Sequence, residues 1–146
     1  MKEHKNSNPK SDRFIAFWGF CTTGLILGLA IYLSPNPKGF GTHQQLGLQQ
    51  CGFITFWGIP CMMCGMTTSF AHYAHFEIAK GFVNQPFSLV LFLGTLQIFI
   101  VSCVELISPS NRLDVMWDKL TQMRVPISVG FFFVMIFSWF YKIYIF

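Results

Sequence analysis

Three cysteines are concentrated in one apolar stretch of this chain, at Cys51, Cys61 and Cys64. Thiolates bind zinc and other soft metal ions, and two neighbouring thiols can also form a disulfide. The second and third cysteines make a C-x-x-C pair, and the first precedes that pair by one short segment. The pattern therefore indicates a metal site or a disulfide, with buried, inert thiols as the third interpretation.

Hydroxyl and imidazole groups follow the pair at helical spacing. Steps of four, four and three residues place four such side chains on one helix face, namely Cys64, Thr68, His72 and His75. Either histidine could complete a zinc site with the cysteines, so the candidate metal ligands are the three cysteines with His72 and His75. Three methionines beside the pair would also suit a soft ion such as Cu(I).

The helix that carries these groups is predicted to begin after a break at residues 58–60 and to end near Lys80, before Gly81. Cys61 and Cys64 would then lie in its first turn, where the helix dipole lowers the pKa of a thiol. This placement supports an alternative function for the protein, a membrane thiol–disulfide oxidoreductase that uses the pair Cys61 and Cys64.

The surrounding composition is that of a membrane protein. Hydrophobic residues make up 53% of the chain and charged residues only 11%, whereas about 25% charged residues are usual in soluble domains. Three apolar runs are long enough to cross a hydrocarbon core of about 30 Å. They cover residues 14–33, 87–107 and 127–145.

These runs predict an all-α membrane protein with about three transmembrane helices. The cysteine-motif segment, residues 51–80, is itself apolar and is predicted to form a re-entrant or interfacial helix. We expect one helical membrane domain over residues 14–146, preceded by a basic cytoplasmic tail over residues 1–13.

The distribution of lysine and arginine predicts the orientation. Four lie in the tail and three between residues 108 and 124, whereas the loop that contains the cysteines has two. Basic segments stay in the cytoplasm, so the N-terminus is expected inside and the cysteine segment outside, in a bacterial inner membrane. Lys142 is expected to reach the lipid interface. The tail and loop account for the net charge of +4, and nothing indicates nucleic-acid binding.

The cysteine motif resembles that of the bacterial membrane proteins grouped as domain of unknown function 2752. The resemblance covers about residues 45–107 and rests on Cys51, Gly58, Pro60, Cys61, Cys64, Gly65, Thr67, Gly81 and Pro86. Thr68 stands where the family has an arginine that could hold an anion, and Gly52 and Met62 replace two prolines. The resemblance implies an integral membrane protein with a cysteine motif and no known activity.

The remaining polar lead is Glu105, near the end of the second apolar run, since a carboxylate inside a membrane is a candidate functional group. It is expected to reach the interface or to meet Arg112.

No hydrolase or phosphoryl-transfer motif is present. We expect an accessory or structural subunit, rather than an enzyme, whose cysteine loop is stabilised by a disulfide or by a metal such as zinc. It would lie in the bilayer with partner membrane proteins or with copies of itself.

Overall fold

The computed structural model describes residues 9–108 and 112–146, and this part of the chain contains helices and no strand. Three of its helices are long and apolar enough to cross a membrane, α1 (Pro9–Tyr32), α5 (Pro86–Ile107) and α7 (Arg124–Ile145). The shorter elements are a 3₁₀ helix (Thr42–Leu46), α2 (Gly52–Trp57), α3 (Met66–Ala74), α4 (Ile78–Asn84) and α6 (Arg112–Gln122). The predicted all-α class and the three candidate spans are confirmed.

The long helices extend beyond the predicted runs at their N-terminal ends. Helix α1 begins within the predicted tail, residues 1–13, whose first eight residues lie outside the described part of the chain. Helix α5 begins at Pro86, because a proline in the first turn has no N–H to leave unpaired. Helix α7 begins at Arg124, three residues before the predicted start.

Helices α1 and α5 form a close antiparallel pair, which small residues make possible. A Cβ atom added at Gly19 would lie 2.6 Å from the Ser102 hydroxyl, and one added at Gly24 would lie 3.3 Å from the Phe99 ring. A later position on α1 thus faces an earlier position on α5, so the two helices run antiparallel. Gly24 and Gly28 are spaced as G-x-x-x-G, but a Cβ atom at Gly28 would meet nothing within 4 Å, so only Gly24 of the two takes part in this contact.

Helix α7 meets the others near its C-terminal end. The Ser138 hydroxyl accepts a hydrogen bond from the Phe87 backbone N–H at 3.2 Å, and the Phe87 and Phe131 rings pack edge to face. The end of α1, the start of α5 and the end of α7 therefore lie together. Residues 33–85 fill this end of the bundle, so the cysteine segment and the end of the last helix share one face.

The cysteine segment is broken twice, not once. The predicted break is confirmed, since α2 ends at Gly58, whose φ of 70° lies in the left-handed region. The prediction of one continuous helix to Lys80 is wrong, because α3 ends at Ala74 and Phe76 turns the chain with a φ of 62°. Gly81 does not end a helix but lies inside α4, where the Tyr73 ring leaves no room for a Cβ atom.

Helix α3 lies beside the first turns of α5, and its nine residues are too few to span a hydrocarbon core of about 30 Å. The Phe92 ring contacts both Phe70 and Tyr73, with centroid distances of 5.4 and 5.1 Å. The Tyr73 hydroxyl shares a hydrogen bond of 3.0 Å with the Ser88 hydroxyl. These contacts reach only about two turns along α5 from its start at Pro86.

Candidate metal site

The three cysteines of the motif come together at the end of the bundle. The Sγ atoms of Cys51, Cys61 and Cys64 all lie within 4.8 Å of one another. Cys64 is buried and the other two are half-buried. Two sulfurs that share one zinc ion at about 2.3 Å each are at most about 4.6 Å apart, so small side-chain movements would allow all three to bind one ion. All five cysteines of the chain are free thiols.

The thiols are brought together by two separate turns of the backbone. Cys51 is the residue immediately before α2, whereas Cys61 and Cys64 belong to the turn that precedes α3. A backbone hydrogen bond of 3.0 Å from the Cys64 N–H to the Cys61 carbonyl closes that turn. Gly65 then adopts a φ of 88°, which directs the chain into α3 at Met66.

A side chain from α7 and one just before α5 hold this turn in place. The indole N–H of Trp139 donates to the Pro60 carbonyl at 2.9 Å. The amide Nε2 of Gln85, just before α5, donates to the Met62 carbonyl at 2.8 Å. The Gln85 side chain is fully buried, and its Oε1 has no hydrogen-bond donor among the described residues. The cysteine turn is thus fastened to α7 and to the start of α5.

A buried lysine from α7 organises the backbone around the motif. Lys142 is 3% exposed, and its Nζ donates to the Gly39 carbonyl at 3.2 Å and to the Asn84 carbonyl and Oδ1 at 3.3 and 2.7 Å. Asn84 in turn donates to the Gly65 carbonyl at 3.0 Å and to the Ser69 hydroxyl at 2.8 Å. We call these five residues the lysine node. The predicted interfacial position of Lys142 is wrong, because these acceptors satisfy the ammonium inside the protein.

The protein alone does not favour thiolates at the C-x-x-C pair. Burial, together with the neighbouring Cys61 and Cys51 thiols, raises the pKa of Cys64 to about 12, while Lys142 acts in the opposite direction. Burial and the hydrogen bond with Cys51 also raise the pKa of Cys61. For Cys51, burial is outweighed by hydrogen bonds, first from the Ile54 backbone, and the pKa is lowered. The predicted lowering by a helix dipole is wrong for the pair, because α3 begins after both residues.

The two predicted histidine ligands are not part of the cluster. His72 donates from Nδ1 to the Glu77 carboxylate at 2.6 Å, and His75, just after α3, donates from Nδ1 to the Ala71 carbonyl of that helix at 2.7 Å. The helix-face argument fails for them because Cys64 precedes the helix on which they lie. The structure thus brings three of the five candidate metal ligands together.

The other predicted residues have different positions. The Thr68 hydroxyl is buried and shares a hydrogen bond of 2.8 Å with Thr42. Thr67 lines an apolar cavity between α1, α3 and α5. Glu105 is 1% exposed and lies near the end of α5, so its carboxylate is buried inside the protein. Its predicted contact with Arg112 involves a side chain outside the described residues.

Comparison with known families identifies the segment around the cluster. Residues 51–99 match the model of a family described as a protein of unknown function, DUF2752. This segment is similar to the DUF2752 family. The match confirms the family that the motif resembles. No curated protein and no solved structure matches the chain.

The DUF2752 segment does not contain all of the residues that support its cysteines. Trp139, Lys142 and Gly39 lie outside it, and the first two come from the last span. The sequence analysis missed these residues, and it also missed Asn84 and Gln85 within the segment. Only Lys142 carried a usable signal, since a charge inside an apolar run marks a residue with a buried partner.

Proposed function

We propose that this protein is an accessory membrane protein in which Cys51, Cys61 and Cys64 bind a zinc ion. The observation that carries the proposal is the approach of three thiols, from two separate turns, to within 4.8 Å of one another. Three sulfur ligands are typical of zinc sites. The bound ion would supply a positive charge that stabilises the thiolates of Cys61 and Cys64, whose pKa values are otherwise raised.

The position of α2 indicates what such an ion would do. Helix α2 has no buried side chain, so packing contributes little to holding it against the bundle. A metal shared by Cys51 and the C-x-x-C turn would join the start of α2 to a turn already fastened to α7 by Trp139. The ion would therefore act as a structural tie, and its binding energy would contribute to folding.

The exposed surface of α2 supports an accessory role. Phe56 and Trp57 are 84% and 73% exposed, and aromatic residues are enriched both at protein interfaces and at lipid interfaces. We propose that the tie holds this surface in place for a partner membrane protein or a second copy of the chain.

The proposal also includes the predicted location, with the chain in a bacterial inner membrane, the N-terminus in the cytoplasm and the cysteine face outside. A membrane-impermeant maleimide, added to intact spheroplasts after an impermeant chelator has removed the zinc, should then label the half-buried Cys51. Labelling that requires lysis would contradict this orientation.

Metal analysis combined with native mass spectrometry of the detergent-solubilised protein tests the metal site. We expect bound zinc in the wild type and its loss when Cys51, Cys61 or Cys64 is replaced by serine. Cys21→Ser and Cys103→Ser are the matched controls, because both residues lie in spans away from the cluster. These two variants should keep the metal.

The same measurement separates zinc binding from the alternative, a thiol–disulfide oxidoreductase. A mass deficit of two hydrogens between Cys61 and Cys64, reversed by reductant and present without metal, would contradict zinc binding and favour redox chemistry. Zinc that remains bound in all three serine variants would also contradict the proposed site.

A further inference from the structure

The cluster supplies three ligands where a closed zinc site has four. Structural zinc sites are almost always bound by four protein ligands, whereas three protein ligands leave a position for another molecule. Among the side chains that the structure describes, no histidine, aspartate, glutamate or further cysteine lies within 4.8 Å of all three Sγ atoms. The fourth position of a bound zinc ion is therefore not provided by these side chains.

The nearest histidines in sequence are already engaged. The Nδ1 atom of His72 is held by Glu77, whose carboxylate also pairs with Lys80. His75 is exposed and is held through Nδ1 by the backbone of α3. Recruiting either residue would require part of α3 to leave its hydrogen bonds and its packing against α5.

The charges around the cluster favour a neutral fourth ligand. Three thiolates and one zinc ion together carry a single negative charge. The ammonium of Lys142 acts electrostatically on Cys64 and supplies one positive charge. An anionic fourth ligand would leave an unbalanced negative charge in a partly buried site, which is unfavourable. A neutral nitrogen donor such as imidazole leaves the charges balanced.

The fourth position is also accessible. Cys51 and Cys61 are only half-buried, and Met63, next to the pair, is 63% exposed. An incoming ligand can therefore reach the cluster from outside the bundle without unfolding α3.

We infer that zinc bound by Cys51, Cys61 and Cys64 keeps a fourth coordination position open for a neutral nitrogen donor from outside the described fold, such as the imidazole of a partner protein. This inference rests on the proposed zinc site. It gives the accessory role a specific chemistry, because the ion would join a partner's side chain directly to the cysteine turn.

Cobalt substitution tests this inference with imidazole as the probe. Cobalt replaces zinc in thiolate sites, and its visible d–d bands report the ligand set. The wild type should bind a single equivalent of cobalt, and added imidazole should shift the d–d bands in a saturable way while the thiolate charge-transfer band and the cobalt content persist. His72→Ala and His75→Ala are the matched variants. Each should give the same spectrum as the wild type before imidazole is added, and the same shifted spectrum afterwards.

The outcomes distinguish the inference from the proposed function. Absence of cobalt binding, or binding unaffected by Cys51→Ser, would overturn the proposed zinc site and the inference together. Cobalt binding with a spectrum that imidazole does not change would overturn only the open position. If either histidine variant differs from the wild type in its d–d spectrum before imidazole is added, the chain itself supplies the fourth ligand, which would overturn the inference. Release of cobalt by imidazole would contradict simple addition to the site.

Discussion

Replacing Gly65 by alanine perturbs the turn on which the cysteine cluster depends. Gly65 has a φ of 88°, and a residue with a side chain in this left-handed region costs about 1–2 kcal/mol. The added Cβ atom would also lie 2.6 Å from the Gly39 carbonyl oxygen and 3.1 Å from both Asn84 Nδ2 and Lys142 Nζ. A backbone carbonyl cannot rotate away alone, so the lysine node must open.

Gly58 provides a matched control for this substitution. Its φ of 70° is similar, but a Cβ atom there would meet nothing within 4 Å. Gly58→Ala therefore carries the backbone cost without the steric contact. We expect the contact at Gly65 to add about 1–3 kcal/mol, which is typical of inserting a group into a packed site. The total for Gly65→Ala is then about 2–5 kcal/mol.

Thermal unfolding in detergent and thiol labelling together measure the effect. Each kcal/mol should lower Tm by about 4 °C for a chain of this size, so Gly65→Ala should unfold well below Gly58→Ala. The buried Cys64 thiol should also react faster with maleimide in Gly65→Ala than in the control. If the two variants have the same Tm and the same labelling rate, the close approach of Gly39 to Gly65 does not stabilise the turn.

Two further predictions concern charged groups. Lys142→Met should lower the free energy of unfolding by at least about 2 kcal/mol, because buried carbonyl and amide oxygens lose their donor; denaturation that matches the wild type would contradict the lysine node. Hydrogen bonds from Lys80 and His72 hold the pKa of Glu77 below its ordinary value of 4.5. Its stabilising effect is therefore present above pH 4.5 and is lost as the pH falls through the lowered pKa. Unfolding curves of the wild type and Glu77→Gln should differ at neutral pH and converge in acid, and a constant difference across this range would refute the assignment.

The sequence predicts the spans well because their signal is local. A long apolar run reports a transmembrane helix by itself, so α1, α5 and α7 were expected within a few residues of their observed starts. The break at Gly58 is local too, because Gly58 and the nearby Pro60 both disfavour a continuous helix. The proximity of the three thiols could be proposed from spacing, since all belong to one short segment.

The parts that could not be predicted depend on residues far apart in the chain. Gly65 is compatible in sequence with the first turn of a helix, whereas its φ of 88° and its close approach to the Gly39 carbonyl belong to the tertiary structure. The predicted helix face with Cys64, His72 and His75 required one helix to contain all three residues. Lys142 was expected at the lipid interface. Its burial could not be predicted, because its acceptors are backbone and amide oxygens of residues far away in the chain, which no periodic pattern reveals.

The contacts made by α7 also determine when the turn that carries the thiols is secured during synthesis. The bond from Lys142 to Gly39 joins residues 103 positions apart, and the bond from Trp139 to Pro60 joins residues 79 apart. Chains are made from the N-terminus, and contacts between distant residues form late. The thiols are therefore translated well before the last span that secures their turn. During this interval they are open to oxidation or to metal capture, so the supply of zinc relative to oxidant at that stage would decide which form of the protein accumulates.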